Sequence, residues 1–585
     1  MSAVAPQPVT RRRLRIGELL VTHKVISEAQ LAAALAEQRR SGRKIGRVLV
    51  EQGVLTEDGL VQALARHLNL PYVDLKRHDF KPELVRLLPE THARRFRVIV
   101  LADRGADLLV GMADPTDIFA YDKLAALLSR PFALALVHEA DLLRAIDAVY
   151  RRTEEISSLA GELGQELRKS DSDYDTALLE SGADASEAPV MRLIKSLFED
   201  AVQVKASDIH IEPDETLLRM RQRVDGVLQE QILPDRRIAP ALATRLKLMA
   251  GLDIAEKRLP QDGRFSIKAQ GVTLDVRMST MPAQHGESIV MRLLSQSAGF
   301  LALTQLGMPE GLRLRFEHLI RRPHGMILIT GPTGSGKTTT LYAALSELNQ
   351  SDVKIITVED PVEYRLPRIT QVQVNEKIAL DFATVLRSAL RQDPDILLVG
   401  EIRDQETAHI GVRASLTGHL VLSTLHTNNA IATATRLVDM GVAGYLVASS
   451  LRAVVAQRLV RRVCPVCAVP RPPDAPQRAW LHALLGEAAD LAGIRAGKGC
   501  TYCNHSGYQG RVGVYELLEM DEAMVNALRH EDTAAFARAA RASPHFRPLT
   551  RAALDYVLAG VTTLDEAQHL AGELEEDWAA SGRPA

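Results

Sequence analysis

Met326-Ile327-Leu328-Ile329-Thr330-Gly331-Pro332-Thr333-Gly334-Ser335-Gly336-Lys337-Thr338-Thr339 carries the fold within fourteen residues. The first five are apolar and β-branched, as in a buried strand, and helix-forming residues follow Thr339. Between them stands GxxxxGK[ST] in its required strand-loop-helix setting. Glycines are needed there because backbone N–H groups must curl around phosphate oxygens without interference from Cβ atoms, and the helix N-terminus adds partial positive charge. Residues 331–339 are therefore the expected nucleotide site. Lys337 is placed to reach the β/γ-phosphates of ATP, and the Thr338 hydroxyl to ligate Mg²⁺. The fold class follows: a multidomain α/β chain around a P-loop NTPase core.

Two further apolar runs belong to the same sheet. Ile396-Leu397-Leu398-Val399 ends in Gly400-Glu401, where an acidic group at a strand's C-terminal end supports the Mg²⁺ hydration shell. Between the two lies Thr357-Val358-Glu359-Asp360-Pro361-Val362-Glu363, three carboxylates after another apolar run, one of them placed to orient the attacking water. Charge developing on a transferred phosphoryl group also needs cations, worth roughly 10³ to 10⁵ in rate.

These residues resemble one family closely, the type II secretion and type IV pilus extension ATPases. The signatures are the Walker A loop above, the aspartate box Glu359–Glu363, the Walker B segment Gly400–Asp404, and the histidine box Thr417-Gly418-His419 through Ser423-Thr424-Leu425-His426-Thr427-Asn428. The similarity spans roughly residues 190–560. It implies a RecA-like homohexamer with nucleotide between subunits, Glu363 as the base that activates water, and Glu401 supporting Mg²⁺. It also implies that His419 and His426 look toward the γ-phosphate. Arg387 and Arg391, one helical turn apart, look like the family's catalytic arginines. Arg221 and Arg223, in Arg221-Gln222-Arg223-Val224-Asp225-Gly226, resemble arginines by which the preceding subdomain reaches the nucleotide. The implied partner is an inner-membrane platform protein, together with a membrane-anchor protein's cytoplasmic domain, and the implied place is the cytoplasmic face of that membrane. Tyr364–Arg368 and Ser295–Gly299 tilt the resemblance toward the pilus branch. The alternatives are a secretion motor that binds no second messenger, and a nucleotide-sensing scaffold that hydrolyses little.

The four cysteines form two pairs, Cys464-Pro465-Val466-Cys467 and Cys500-Thr501-Tyr502-Cys503. CxxC…CxxC spacing lets four thiolates close a tetrahedron around Zn²⁺, a closed shell with no open position for substrate, so the metal is expected to be structural. Pairing of this kind also suits a reducing compartment better than a disulfide scaffold.

At the other end, residues 15–38 repeat as residues 44–67 at a constant offset of 29, with 10 identities in 24. Each copy opens basic-Ile-Gly (Arg15-Ile16-Gly17, Lys44-Ile45-Gly46). A polar cap follows, Ser27 or Thr56, then a helix with leucines at i,i+4: Leu31 and Leu35, or Leu60 and Leu64. Ser27 with Gln30 makes a capping-box pattern. Such tandem modules resemble the N-terminal domain of the mannose-sensitive haemagglutinin pilus ATPase group, which binds cyclic di-GMP. On that resemblance Arg15, Ile16, Gly17, Leu31, Leu35, Gln38, Lys44, Ile45, Gly46, Leu60, Leu64 and His67 are the candidate contacts. Lys44 and His67 depart from the Arg and Gln of that pattern, and Lys24 stands where the second copy has Gly53.

The expected organisation is a disordered start (1–10), a helical repeat domain (11–70), a small α/β domain (71–150) and a flexible linker (151–187). An α+β N-terminal motor subdomain (188–300), the RecA-like ATPase domain (301–460), a Cys₄ zinc subdomain (461–520) and a C-terminal helical region (521–585) follow. Balanced charge, 71 Lys+Arg against 73 Asp+Glu, and 4% aromatic content argue against a nucleic-acid translocase. No stretch approaches the ~20 apolar residues that would insert into a bilayer. The interrupted apolar character after Arg11-Arg12-Arg13 argues against a secretory leader.

Overall fold

The computed structural model describes residues 20–21, 25–41, 45–55, 57–78, 80–115, 117–128, 130–150, 153–169, 188–295 and 301–580. Its chain divides into two compact units, one of residues 1–154 with Gly499–His505, the other of Glu155–Lys498 with Ser506–Ala585.

In the first unit the repeat forms helices Glu28–Ser41, Ile45–Glu51 and Glu57–Leu68. The capping box is present: the Ser27 N–H donates to Gln30 Oε1 at 2.8 Å, and the Gln30 N–H to Ser27 Oγ at 3.2 Å. Ile26, Ala34, Val48, Leu49 and Leu55 bury themselves together in one small core. A three-stranded sheet follows: β1 (Val98–Asp103) runs antiparallel to β2 (Leu108–Met112), which runs parallel to β3 (Phe132–Leu136).

The second unit opens with a helix where a linker is expected. Thr153–Lys169 is helical, and Ile156, Leu159, Ala160 and Leu163, at three- and four-residue spacing, enter a core with Val190, Leu193, Ile194, Leu197 and Phe198 of the next helix, Pro189–Gln203. The polar residues between 155 and 168 form the outward face of an amphipathic helix. The rest of the expected linker, 151–152 and 170–187, and the expected disordered start, 1–10, lie outside the described residues. The same core backs a six-stranded antiparallel sheet in the order β6-β5-β4-β9-β8-β7, with β4 Asp208–Pro213, β5 Leu218–Val224, β6 Val227–Leu233, β7 Gln261–Ala269, β8 Val272–Ala283 and β9 Gly286–Ser295.

The second sheet has seven strands in the order β12-β11-β13-β14-β10-β15-β18. Its members are β10 Gly325–Thr330, β11 Ile355–Glu359, β12 Thr370–Gln373, β13 Ile396–Val399, β14 Leu420–Leu425, β15 Leu451–Val463 and, after the short pair β16 Ala468–Pro470 and β17 Arg495–Gly497, β18 Tyr508–Glu519. All pairings are parallel except β15–β18. Met326 and Leu328 of β10 enter one apolar core, and Ile327 and Ile329 another. A strand covered on both faces reads as an unbroken apolar run, which is why β10 is legible and why it is a parallel-sheet strand.

The boundaries expected for the cysteine subdomain shift. β18, inside the expected 461–520, is an edge strand of the seven-stranded sheet, paired along β15 from Ala453↔Glu519 to Val463↔Tyr508. The cysteine segment is thus an insertion between two long paired strands. The C-terminal helices Glu522–Arg529, Thr533–Ala542, Leu549–Leu558 and Leu564–Ala580 share the main sheet's core through Met524, Phe536, Leu554 and Leu570.

Candidate active site

The C-terminal ends of β10, β11, β13 and β14 carry, in turn, the glycine loop, the acidic loop, Glu401 and His426, the edge where parallel α/β sheets bind ligands. The loop is shaped by positive-φ glycines. At Gly331 (φ 148°) a Cβ would lie 2.4 Å from the Gln457 carbonyl oxygen, which excludes a side chain; at Gly336 (φ 87°) it would lie 2.9 Å from Gln457 Nε2 and would strain the left-handed backbone while pushing that amide aside. Helix Lys337–Leu348 starts directly behind. Lys337 Nζ donates to the loop's own carbonyls, Gly331 O at 2.8 Å and Pro332 O at 3.1 Å. Burial pushes its ammonium down to about 8, against the pull of Glu401. Ser335 Oγ is buried and has no hydrogen-bond partner in the structure. A cradle closed to a side chain at Gly331, a desolvated ammonium and an orphaned hydroxyl together fit a polyphosphate. Thr338, exposed on the first helical turn, and Glu401 are the oxygen donors suited to the accompanying Mg²⁺.

The acidic loop is tied to that helix. Tyr342 donates its hydroxyl to the buried Glu359, which also accepts from Thr357 Oγ1 and, at 3.2 Å, from Gln371 Nε2. The Glu363 N–H meets the Tyr342 oxygen at 3.4 Å. The Glu363 carboxylate pairs at 3.0 Å with Arg277 of β8, whose guanidinium also donates to Val362 O at 3.1 Å. Glu401 pairs with His426 Nε2 at 3.2 Å and with Arg403 at 2.5 Å.

Other expected residues stand apart. His419 precedes β14 and His426 follows it, so the six residues of that strand, seven steps of extended chain or roughly 23 Å, separate them. His419 is bonded through Nδ1 to Ala414 O at 2.9 Å, at the end of helix Gln405–Leu416. Within one chain the two histidines therefore cannot share a phosphate, because the strand between them runs the depth of the sheet. Arg387 is exposed and paired with Glu406, and Arg391 bonds back to the Arg387 carbonyl at 2.8 Å. Arg221 pairs with Glu212 at 2.5 Å, and Arg223 donates to Gly226 O at 2.9 Å. Arg277, not these two, meets the acidic loop. Sequence reading passes over it because in β8 it alternates with the core residues Val276 and Met278, as any solvent-facing arginine would.

The sulfurs of Cys464, Cys467, Cys500 and Cys503 lie within 4.8 Å of one another, with Cys500 and Cys503 at 3.7 Å. Four thiolates at the ~2.3 Å bonds of zinc sit about 3.8 Å apart on a tetrahedron's edges, so the set fits that ion. Of the expected second-messenger contacts, Arg15, Ile16, Gly17 and Lys44 lie outside the described residues, as does the His67 side chain. Leu31, Ile45 and Leu60 pack on the repeat's core, while Leu35 is exposed.

Comparison with known proteins agrees with this architecture. The model of the type II/IV secretion system protein family matches residues 183–569, and that of the MshEN domain residues 68–156. The chain is 41% identical over 557 residues to the type IV pilus assembly ATPase PilB of Myxococcus xanthus (strain DK1622), covering 94% of this chain and 98% of that one. It is 45% identical over 484 residues to type II secretion system protein E of Aeromonas hydrophila, covering 82% and 95%. A solved structure of MshE with cdg is similar at 40% identity over 24% of this chain and all of that one, with a TM-score of 0.23. Matched along most of its length by the family model and by relatives it covers almost end to end, the chain belongs to the type II/IV secretion system protein family, as an α/β ATPase with an MshEN domain ahead of it.

Proposed function

We propose that this ATPase drives assembly of a type IV pilus or of a type II secretion pseudopilus, as a homohexamer acting on an inner-membrane platform protein. The observation that carries the chemistry is the cradle at 331–338 on the same edge of the sheet as two separately held carboxylates, Glu363 and Glu401. Lys337 leaves the loop carbonyls for the β/γ-phosphates, and the helix N-terminus holds the anion. Glu363, once clear of Arg277, accepts a proton from the attacking water. Thr338 and Glu401 would hold Mg²⁺, which would supply positive charge against the charge developing on the phosphate oxygens. His426, already on Glu401, is the histidine of the pair suited to sensing the γ-phosphate, and Arg387 and Arg391, exposed on one helix, suit a neighbouring subunit's site.

Among the described residues no helix is long and apolar enough to cross a membrane. Attachment at the inner membrane is accordingly assigned to partners. The match to pilus and secretion relatives at similar identity leaves both cargos in the proposal, and the MshEN match, with the repeat ahead of it, favours the regulated pilus form with cyclic di-GMP as effector. Steady-state ATPase assays test the motor. Lys337→Ala and Glu363→Gln are each expected to lower turnover about 100-fold or more, whereas a non-hydrolysing scaffold gives wild type and variants the same near-zero rate. Titration calorimetry of the full chain with cyclic di-GMP tests the effector; absence of heat would remove it.

A further inference from the structure

Two side chains on β15 have no part in the chemistry above. β15 runs parallel to β10 as far as Thr330↔Ala456. The next two residues, Gln457 and Arg458, stand beside the phosphate loop where β10 has already turned into it. Both are long and polar, yet they are only 2% and 5% exposed.

The Gln457 amide is used at both ends. Its Nε2 donates to Ser335 O at 2.9 Å, and its Oε1 accepts from Thr340 Oγ1 at 2.7 Å. One side chain thus pins the loop and the first turn of the following helix, and reversing the amide would break both bonds. Its backbone carbonyl closes the space beside Gly331.

Arg458 continues from there. Its guanidinium donates to Gln457 O at 3.2 Å and to Asn428 at both O, 3.1 Å, and Oδ1, 3.3 Å. Asn428 ends the segment that began with His426, and Asn429 caps helix Ala430–Asp439 through the Ala432 N–H at 2.8 Å. The Ala430 N–H in turn donates to the buried Glu516 of β18 at 2.7 Å. A buried guanidinium is costly to keep unless its donors are used. Here the two Nη groups bridge the floor of the phosphate loop and the segment that holds His426, while Nε faces the Glu573 carboxylate of the C-terminal helix at 3.9 Å.

We propose that Gln457 and Arg458 are positioning residues for ATP hydrolysis: Gln457 holds the phosphate loop in its binding shape, and Arg458 couples that loop to the His426–Asn429 segment. Phosphate binding in the loop thereby sets the position of His426, hence of Glu401, and reaches the helix behind. The inference rests on the reading of residues 331–338 as an ATP site.

Nucleotide affinity and turnover, measured on the assembled full-length chain, separate the two roles. Gln457→Ala is expected to weaken ATP binding about 10-fold or more, as the loss of two buried hydrogen bonds to the loop implies. Gln457→Glu, which keeps the Thr340 acceptor, falls between it and wild type. Arg458→Ala is expected to lower kcat about 10-fold with KM within ~3-fold of wild type, and Arg458→Lys, which reaches Asn428 alone, to recover part of it. The double variant should cost less than the two singles together, because they act through one connection. A general loss of structure would instead lower the active fraction and leave KM and kcat per active site unchanged. Wild-type KM and kcat in Gln457→Ala and Arg458→Ala, with Lys337→Ala inactive, would overturn the coupling and spare the ATP site. A wild-type chain that binds no ATP would remove both.

Discussion

Tyr342 is the residue through which the helix behind the phosphate loop fixes the acidic loop. Its ring packs edge-on against Tyr364 at 4.6 Å, and its hydroxyl supplies one of the donors that satisfy the buried Glu359. Tyr342→Phe keeps the ring and removes the donor, so it is expected to cost about 1–3 kcal/mol of stability. It should also lower kcat about 10-fold with KM little changed, since Glu363 loses its register to the loop; wild-type kcat in a stably folded variant would refute the link. Glu516 offers a pH test. Burial raises its carboxyl from an ordinary 4.5 to about 7, opposed by the N–H groups of Ala430 and Leu549 and by Arg458. A carboxyl raised in the folded state binds more protons there than in the unfolded chain, so its stabilising contribution is full below about 4.5 and is lost as pH rises through 7. Glu516→Gln, compared with wild type by thermal melting, should be at its greatest disadvantage near pH 5 and close part of that gap by pH 8. A gap constant with pH would mean that Glu516 is charged throughout. At this scale the sequence announces residues whose chemistry is tied to spacing, Lys337 and Glu401 among them. It is silent on Tyr342, Gln457 and Arg277, whose roles come from partners 17 to 122 positions away.

At the scale of elements, legibility follows locality. The phosphate loop, the capping box and the CxxC pairs are each written within a few residues, and each is found. The pairing of β15 with β18 joins residues more than forty apart in sequence across the cysteine insertion, so nothing local marks β18 as part of the motor sheet. Helix Thr153–Lys169 is hidden for a different reason: its Ser, Glu and Gly content matches that of a linker, and only the spacing of Ile156, Leu159 and Leu163 betrays a buried face. The insertion makes its own prediction. Its strands β16 and β17 are three residues each, and its one longer element, helix Ala475–Leu485, leans on the main core through Leu481, so a metal held by the four thiolates would be what organises the cysteine end. Elemental analysis is expected to find one zinc per chain. Cys500→Ser with Cys503→Ser should abolish it and open the insertion to protease, while the main sheet persists by circular dichroism. Zinc retained by that double variant would exclude the four-thiolate site.

At the scale of the whole molecule, the boundary between the two units decides what can be removed. Composition places that boundary at a loose tether, 151–187, and a tether can be cut anywhere along its length. The structure places Ile156, Leu159, Ala160 and Leu163 of that stretch inside the second unit's core, where Ile156 and Leu163 are fully buried with Val190, Leu193 and Phe198. Side chains of this size each contribute about 1.5–3 kcal/mol when buried, against the entropy of ordering one more helix. The apolar term wins, because the facing helix Pro189–Gln203 has its own stripe to cover and would otherwise expose it to water. A chain starting at residue 153 should therefore melt at least about 3 °C above one starting at 188, and the shorter chain should bind hydrophobic dyes. Leu163→Ala in the full-length protein, with a cost of about 2–5 kcal/mol, checks the same contact without a truncation. Identical melting of the two shortened chains, with Leu163→Ala neutral, would return residues 153–169 to the linker and leave the reading of the nucleotide site as it is.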